Sequence, residues 1–334
     1  MVKNYSVKQY QESDYENWNT FIGQAKNATF LFHRDFMEYH KDRFEDFSLM
    51  IFDDKKLVAV LPANRVGNEI FSHQGLTYGG LVYNEQSKLT TIVNAFRAVL
   101  LFLEADGIEK LHLKTIPSIY HSKPAEEIQY ALFLAEAQLV RRDTLSVIDL
   151  SQLYVFSKIR KRGIQKGKTN GLIIKEETDF ESFWDEILIP NLEERHKAKP
   201  VHSLEEMKVL KSLFPTNIRQ FNVYHKDKIV AGTTVFETET VAHCQYISKY
   251  EEEEDLGSLD FLYHFLITET FADKRFFDFG ISNESQGKKL NEGLSYWKES
   301  FGASTMVHDF YEVQTANYVK LDSFFSKSKN RLTQ

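Results

Sequence analysis

The sequence predicts a mixed α/β protein built from two copies of one unit. Three observations carry that expectation. The 334 residues accommodate about two domains of roughly 150 residues each. The second half alternates strands and helices in the order β-α-α-β-β-β-α-β-α-β, and the first half runs through the same order. The hairpin sequence "KKLVAV" of the first half has a counterpart, "DKIVAG", in the second.

In the first half, "NYSVKQY" reads as a strand and "DYENWNTFIGQA" and "HRDFMEYHKD" as helices. "FSLMIFD" and "KLVAVLPANRV" form a hairpin across Asp53–Lys55, and "EIFSHQGLTYGGLV" is strand-like. Then come the helix "SKLTTIVNAFRAVLLFLEADG", the strand "IEKLHLKTI", the helix "PAEEIQYALFLAEA" and the strand "LVRRDTLSVIDL". The second half opens with the strand "GLIIKEET". "DFESFWDEILIPNLEERH" comes next with helical spacing, placing Phe180, Phe183, Trp184, Ile187 and Leu188 on one face. In "SLEEMKVLKSLF", Ser203 and Glu206 have the spacing of a capping box. The strands "IRQFNVYHK", "KIVAGTTVFE" and "TVAHCQYISKY" are next, the first two joined at Asp227-Lys228. The helix "SLDFLYHFLITETFA", strand "RFFDFG", helix "GKKLNEGLSYWKES" and strand "STMVHDFYEV" complete the repeat. The expected division is residues 1–150 and 151–334, with the join near Ser151–Gly171.

Composition narrows the functional classes. Hydrophobic residues make up 42% and charged residues 27%, which suits a soluble chain with a full core. A net charge of −7 argues against bulk nucleic-acid binding. The single cysteine, Cys244, allows no internal disulfide, and no apolar signal segment precedes Tyr15, so a cytoplasmic protein is expected. The apolar helix around "AFRAVLLFLEA" is too short and too charged to cross a bilayer. Metal-ligand spacings, GxSxG, GxGxxG and the P-loop are missing.

The element order resembles the GNAT acyltransferase fold, and the tandem arrangement resembles the Fem-type peptidyltransferases and related BioF2-like acyltransferases. The residues carrying the resemblance are "KIRKRGIQKGKTNGLIIKE", "RHKAKPVHSLEEM", "IVAGTTVF", "HCQYIS", "FFDFGIS" and "LNEGLSYWKESFGA". It covers the whole chain loosely and 195–303 best. It implies transfer of an acyl or aminoacyl group to an amine of a sugar, an amino acid or a cell-envelope precursor. It further implies that the second half carries the chemistry, the first having no equivalent cluster. Acyl-CoA is the expected donor, with aminoacyl-tRNA as the alternative. A catalytically degenerate binding protein is the reading from a different class.

Such a transfer needs a held carbonyl, an amine that loses its proton and a cradle for the donor's anionic tail. His243 is a candidate base, being of the type tuned to neutral pH. Strict alternation puts Gln245 on its face and Tyr246 on the other. Asp278, between Phe277 and Phe279, faces away from those rings, and a carboxylate on a core strand serves a partner or a site. The resemblance places Lys298 at donor or phosphate, with Asn291 and Trp297 beside it. It makes Arg195, His196 and His202 acceptor-side candidates. Arg160 and Arg162, within the basic run Lys158–Lys168, are candidates for phosphate contacts. One stretch departs from the pattern: where CoA enzymes carry a glycine-rich pyrophosphate loop, this chain has "SKYEEEEDLGSLD", keeping only Gly257 amid the carboxylates Glu251–Asp255.

Overall fold

The computed structural model describes residues 5–250 and 255–326, apart from the side chains of Arg195, His196, Ser323, Phe325 and Ser326. The chain divides into two compact units, Met1–Arg142 with His308–Gln334, and Asp143–Val307. This differs from the expected division at residue 150. The strand Gln138–Asp149, last of the first half, gives its residues from Asp143 onward to the second unit. The strand Ser304–Gln314, last of the second half, gives its residues from His308 onward to the first. Each unit thus completes its sheet with a strand from the other half of the sequence.

In the first unit, Tyr5–Gln9 pairs with Leu49–Asp53, which pairs with Lys56–Leu61, all antiparallel. Separately, Lys110–Lys114 runs parallel to Glu69–Phe71 and antiparallel to the returning residues Phe310–Gln314. The helix Leu89–Ala105 turns Ile92, Phe96, Val99 and Leu103 into this unit's core.

The second unit repeats the pattern. Ile173–Glu177, Ile218–His225, Lys228–Glu237 and Val241–Lys249 form an antiparallel run. Phe276–Ile281 then joins parallel to Val241–Lys249, and Leu145–Asp149 pairs antiparallel on its other side. The two-residue hairpin turn holds Lys226 and Asp227 at φ 49° and 64°, the twist-compatible turn of tight hairpins. Both hairpins slip register at the same place: the extra residue is Val58 in "KLVA" and Val230 in "KIVA". The core of this unit joins Phe221, Val235, Cys244, Tyr263, Phe277, Phe279 and Phe301.

Several expected helices take other forms, and "SLDFLYHFLITETFA" is α-helical at Ser258–Phe265 but π-helical at Leu266–Thr270. "DFESFWDEILIPNLEERH" is α-helical at Glu181–Phe183 and Ile189–His196 but π-helical at Trp184–Leu188. "GKKL" is the second arm of a small hairpin, Asn283–Glu284 with Lys289–Leu290, and the helix starts only at Glu292. No helix among the described residues is long and apolar enough to cross a membrane.

Candidate active site

The site lies where two parallel strands of the second unit part. Val241–Lys249 and Phe276–Ile281 pair at three positions, Val241↔Phe276, Ala242↔Phe277 and His243↔Asp278, and the ladder ends there. Phe277 and Phe279 point into the core, so the alternation of the strand turns Asp278 to the opposite face, beside its cross-strand neighbour His243. The Asp278 carboxylate is fully buried, the His243 side chain 12% exposed, and Nδ1 and Oδ2 are 2.8 Å apart. The other carboxylate oxygen accepts the Gly280 N–H at 2.7 Å. Gly280 stands at φ 72°, a region that favours glycine, and a Cβ there would stand 3.4 Å from His243 Cε1.

Lys298 reaches this strand end from the helix Glu292–Glu299. It is 2% exposed, and its Nζ donates to Gly280 O at 3.1 Å and Ile281 O at 2.6 Å. Burial lowers its pKa to about 8, while the Asp278 charge pulls the other way. It is neither a solvated lysine nor an open phosphate hook: it ties down the backbone beside His243.

The strand carrying His243 slips register at Gln245. Thr234 pairs with Tyr246 and Val235 with Cys244, leaving Gln245 as the extra residue. A bulge re-aims the side chains beyond it, so Tyr246 comes to the face of His243 and not the opposite one. There its hydroxyl lies 2.6 Å from His202 Nδ1 and accepts the His202 N–H at 3.1 Å. Burial raises the Tyr246 pKa to about 12, so this phenol is neutral at ordinary pH. Trp184, at the head of the π-helical turn, packs edge-on against Tyr246 with ring centroids 5.1 Å apart.

Other expected site residues have structural duties. Asn291 caps its helix, its side chain accepting the Leu294 N–H at 3.0 Å. Trp297 packs against Tyr263, Phe279 and Phe301 in the core. Arg160 is bonded to Asp260 and stacks over Phe301, so its charge is spent inside the unit, whereas Arg162 is exposed. Arg195 and His196 end the helix Ile189–His196, but their side chains fall outside the described residues. So do Glu251–Glu254 of the acidic loop.

The N-terminal end of the helix Ser258–Phe265, where CoA enzymes seat the pyrophosphate, is crowded. The helix Lys158–Thr169 crosses it at glycines: a Cβ on Gly257 would overlap Gly163 O, one on Gly163 would overlap Asp260 Oδ2, and one on Gly167 would overlap Phe261. The first turn also carries Asp260, whose pKa burial raises against the pull of Arg160. A second anion at that helix end would meet packed backbone and a carboxylate.

The first unit has partial counterparts. Its parallel pair ends at Phe71↔His112, and His112 Nε2 contacts Glu69 at 2.9 Å, with side chains 22% and 33% exposed. Lys114, at the end of that strand, donates to Leu76 O, and burial lowers its pKa to about 8. The expectation of no equivalent cluster in this half therefore needs correcting. The difference is burial, since only the His243–Asp278 pair has a carboxylate sealed from water. Among the described residues no group of His, Cys, Asp and Glu is placed to hold a metal ion.

No protein-family model matches the sequence, and no curated protein matches it. Solved structures do. The crystal structure of FemX aligns with a TM-score of 0.64 at 8% identity, covering 95% of this chain and 99% of that one. The structure of L-PGS from Bacillus licheniformis aligns at 0.55 and 10% identity, over 95% and 97%. The C-terminal domain of a putative lysylphosphatidylglycerol synthetase from Agrobacterium fabrum aligns at 0.54 and 12%, over 80% and 85%. The chain shares the fold of FemX and of these two synthetase structures, with two α/β units of like strand order, in line with the Fem-type resemblance read from the sequence.

Proposed function

We propose that this chain is an N-acyl or N-aminoacyl transferase whose chemistry lies in the unit Asp143–Val307. The observation that supports it most is the parting of two parallel strands immediately beyond a histidine held by a buried carboxylate. Beyond His243 the strand Val241–Lys249 has no further pairing with Phe276–Ile281, which leaves its facing edge for a substrate. On the other strand the Gly280 N–H is held by Asp278, and the Gly280 and Ile281 carbonyls by Lys298. Asp278 holds the proton on His243 Nδ1, leaving the Nε2 lone pair to receive a proton from the attacking amine. The amine nitrogen bonds to the donor carbonyl carbon, the bond to the leaving oxygen or sulfur breaks, and the imidazolium returns the proton to the leaving group. Backbone N–H groups of the strand Val241–Lys249 beyond His243 are assigned as donors for the oxyanion. Lys298 fixes the strand end and offsets the Asp278 charge. Tyr246, His202 and Gln245 line the same face and are assigned to the acceptor, an amine of a sugar, amino acid or cell-envelope precursor. A lone cysteine, Cys244, fits a cytoplasmic enzyme.

Acyl-CoA is one donor this chemistry takes. The crowded helix end at Gly257 favours the second, aminoacyl-tRNA, because the usual seat of the CoA pyrophosphate is filled. A thermal-shift screen of acyl-CoA esters, aminoacyl-tRNA and nucleotide sugars finds the pair, since a ligand of the folded state raises the melting point. With that pair, His243→Gln is expected to lower turnover by about 10²–10⁴-fold. Turnover of His243→Gln equal to the wild type would refute the assignment.

A further inference from the structure

The helix Lys158–Thr169 turns Gly163, Ile164 and Gly167 inward, toward the helix Ser258–Phe265. Its outward side is cationic, with Lys158, Lys161, Arg162, Lys166 and Lys168 exposed. Just before it, residues 153–156 alternate between exposed and partly buried. Tyr154 and Phe156 pack against the core, leaving Leu153 and Val155 outside, 95% and 63% exposed. Ile159, in the first turn, is 48% exposed. Leu153, Val155 and Ile159 thus stand in water next in sequence to the exposed cations of the helix.

We propose that this patch docks the protein on an anionic lipid surface. Cations beside protruding aliphatics suit a bilayer whose headgroups are acidic and whose interface accepts Leu, Val and Ile. Charge complementarity is the argument for that partner, because these cations form a basic island in a chain of net charge −7. Nucleic acid would use the same cations but has no use for Leu153 and Val155, and the patch offers no exposed aromatic ring for a base to stack on. Asp255 stands 4.0 Å from Lys166 and offsets part of the charge there. The carboxylates Glu251–Glu254, next in sequence, lie outside the described residues. The proposal is independent of the transferase reading, since it is measured without turnover.

The test is sedimentation of the full chain with vesicles of phosphatidylcholine alone and with about 30% phosphatidylglycerol, at low and physiological salt, alongside binding of bulk tRNA. The expected result is binding to the anionic vesicles only, weakened by salt. At about 1 kcal/mol per cation near such a surface, Lys158→Glu/Lys161→Glu/Arg162→Glu loses more than a hundredfold in vesicle affinity. Leu153→Asp/Val155→Asp, with every cation kept, loses at least tenfold. Both variants change exposed side chains, and an unchanged melting point shows that the fold is intact. No binding to anionic vesicles overturns the proposal. So does vesicle binding that Leu153→Asp/Val155→Asp leaves intact, and so does tRNA that binds and displaces the protein from vesicles.

Discussion

Replacing Asp278 by Asn keeps the shape of the side chain and removes its charge. The amide oxygen can still accept the Gly280 N–H that now bonds at 2.7 Å. The amide nitrogen then faces His243 Nδ1 and is a donor, where the carboxylate at 2.8 Å was an acceptor. Two donors cannot share that bond, so the histidine proton moves to Nε2 and the lone pair leaves the side from which an amine would approach. One bond to a charged group is lost, worth about 2 kcal/mol. Spread over a domain of this size, that is a fall in melting temperature of roughly 4–8 °C. Turnover should fall further, by about 10²–10⁴-fold, because the base now presents N–H in place of a lone pair. Nitrogen-15 chemical shifts of histidine-labelled protein report the tautomer directly, without a substrate. A variant whose His243 still carries its proton on Nδ1, or whose turnover stays close to the wild type, refutes the reasoning.

Burial and close packing lead to two further outcomes. With its pKa lowered to about 8 in the folded chain, Lys298 binds its proton less tightly there than when unfolded. Stability should therefore rise with pH from about 8 toward the ordinary lysine value near 10.4, and the rise should be smaller in Lys298→Met. Urea unfolding at about pH 7.5 and 9.5 checks this, and parallel behaviour of the two proteins would count against it; Lys114, lowered likewise, contributes the same sign in both. Gly163→Ala gains about 1 kcal/mol of helix propensity but forces a methyl group into Asp260. A net loss of more than about 2 kcal/mol in a urea melt is expected, and a net gain would show that the helices separate easily.

The repeat could be read from the sequence because its strongest signal is local. "KLVA" and "KIVA" come after tight turns, and in both the register slips at the same valine. The face of Asp278 was legible for a similar reason, since the rings of Phe277 and Phe279 fix the alternation. The features that escaped depended on tertiary fit. The slip at Gln245 answers to the neighbouring strand, and it moved Tyr246 onto the face of His243. Asn291 looked like a mid-helix polar residue because the hairpin ahead of it carries no glycine-asparagine turn signal, and it proved to be the cap. Trp297 and Arg160 have site-like chemistry in sequence, but only packing shows that one fills the core and the other is already paired. The exchange of final strands has no sequence signature, because either strand suits either sheet.

That exchange sets a schedule for synthesis. The Thr115 hydroxyl bonds to Asp309 O, 194 positions further along the chain, and Lys110–Lys114 pairs with Phe310–Gln314. At about 5–20 residues per second, the ribosome takes about 10–40 s to deliver that partner. Throughout that interval Lys110–Lys114 has an open edge, of the kind that recruits stray strands. The next strand to emerge is Gln138–Asp149, and the native fold needs most of it in the other unit. The nascent first half must therefore hold that edge unfilled, or surrender a borrowed strand, before either sheet is complete.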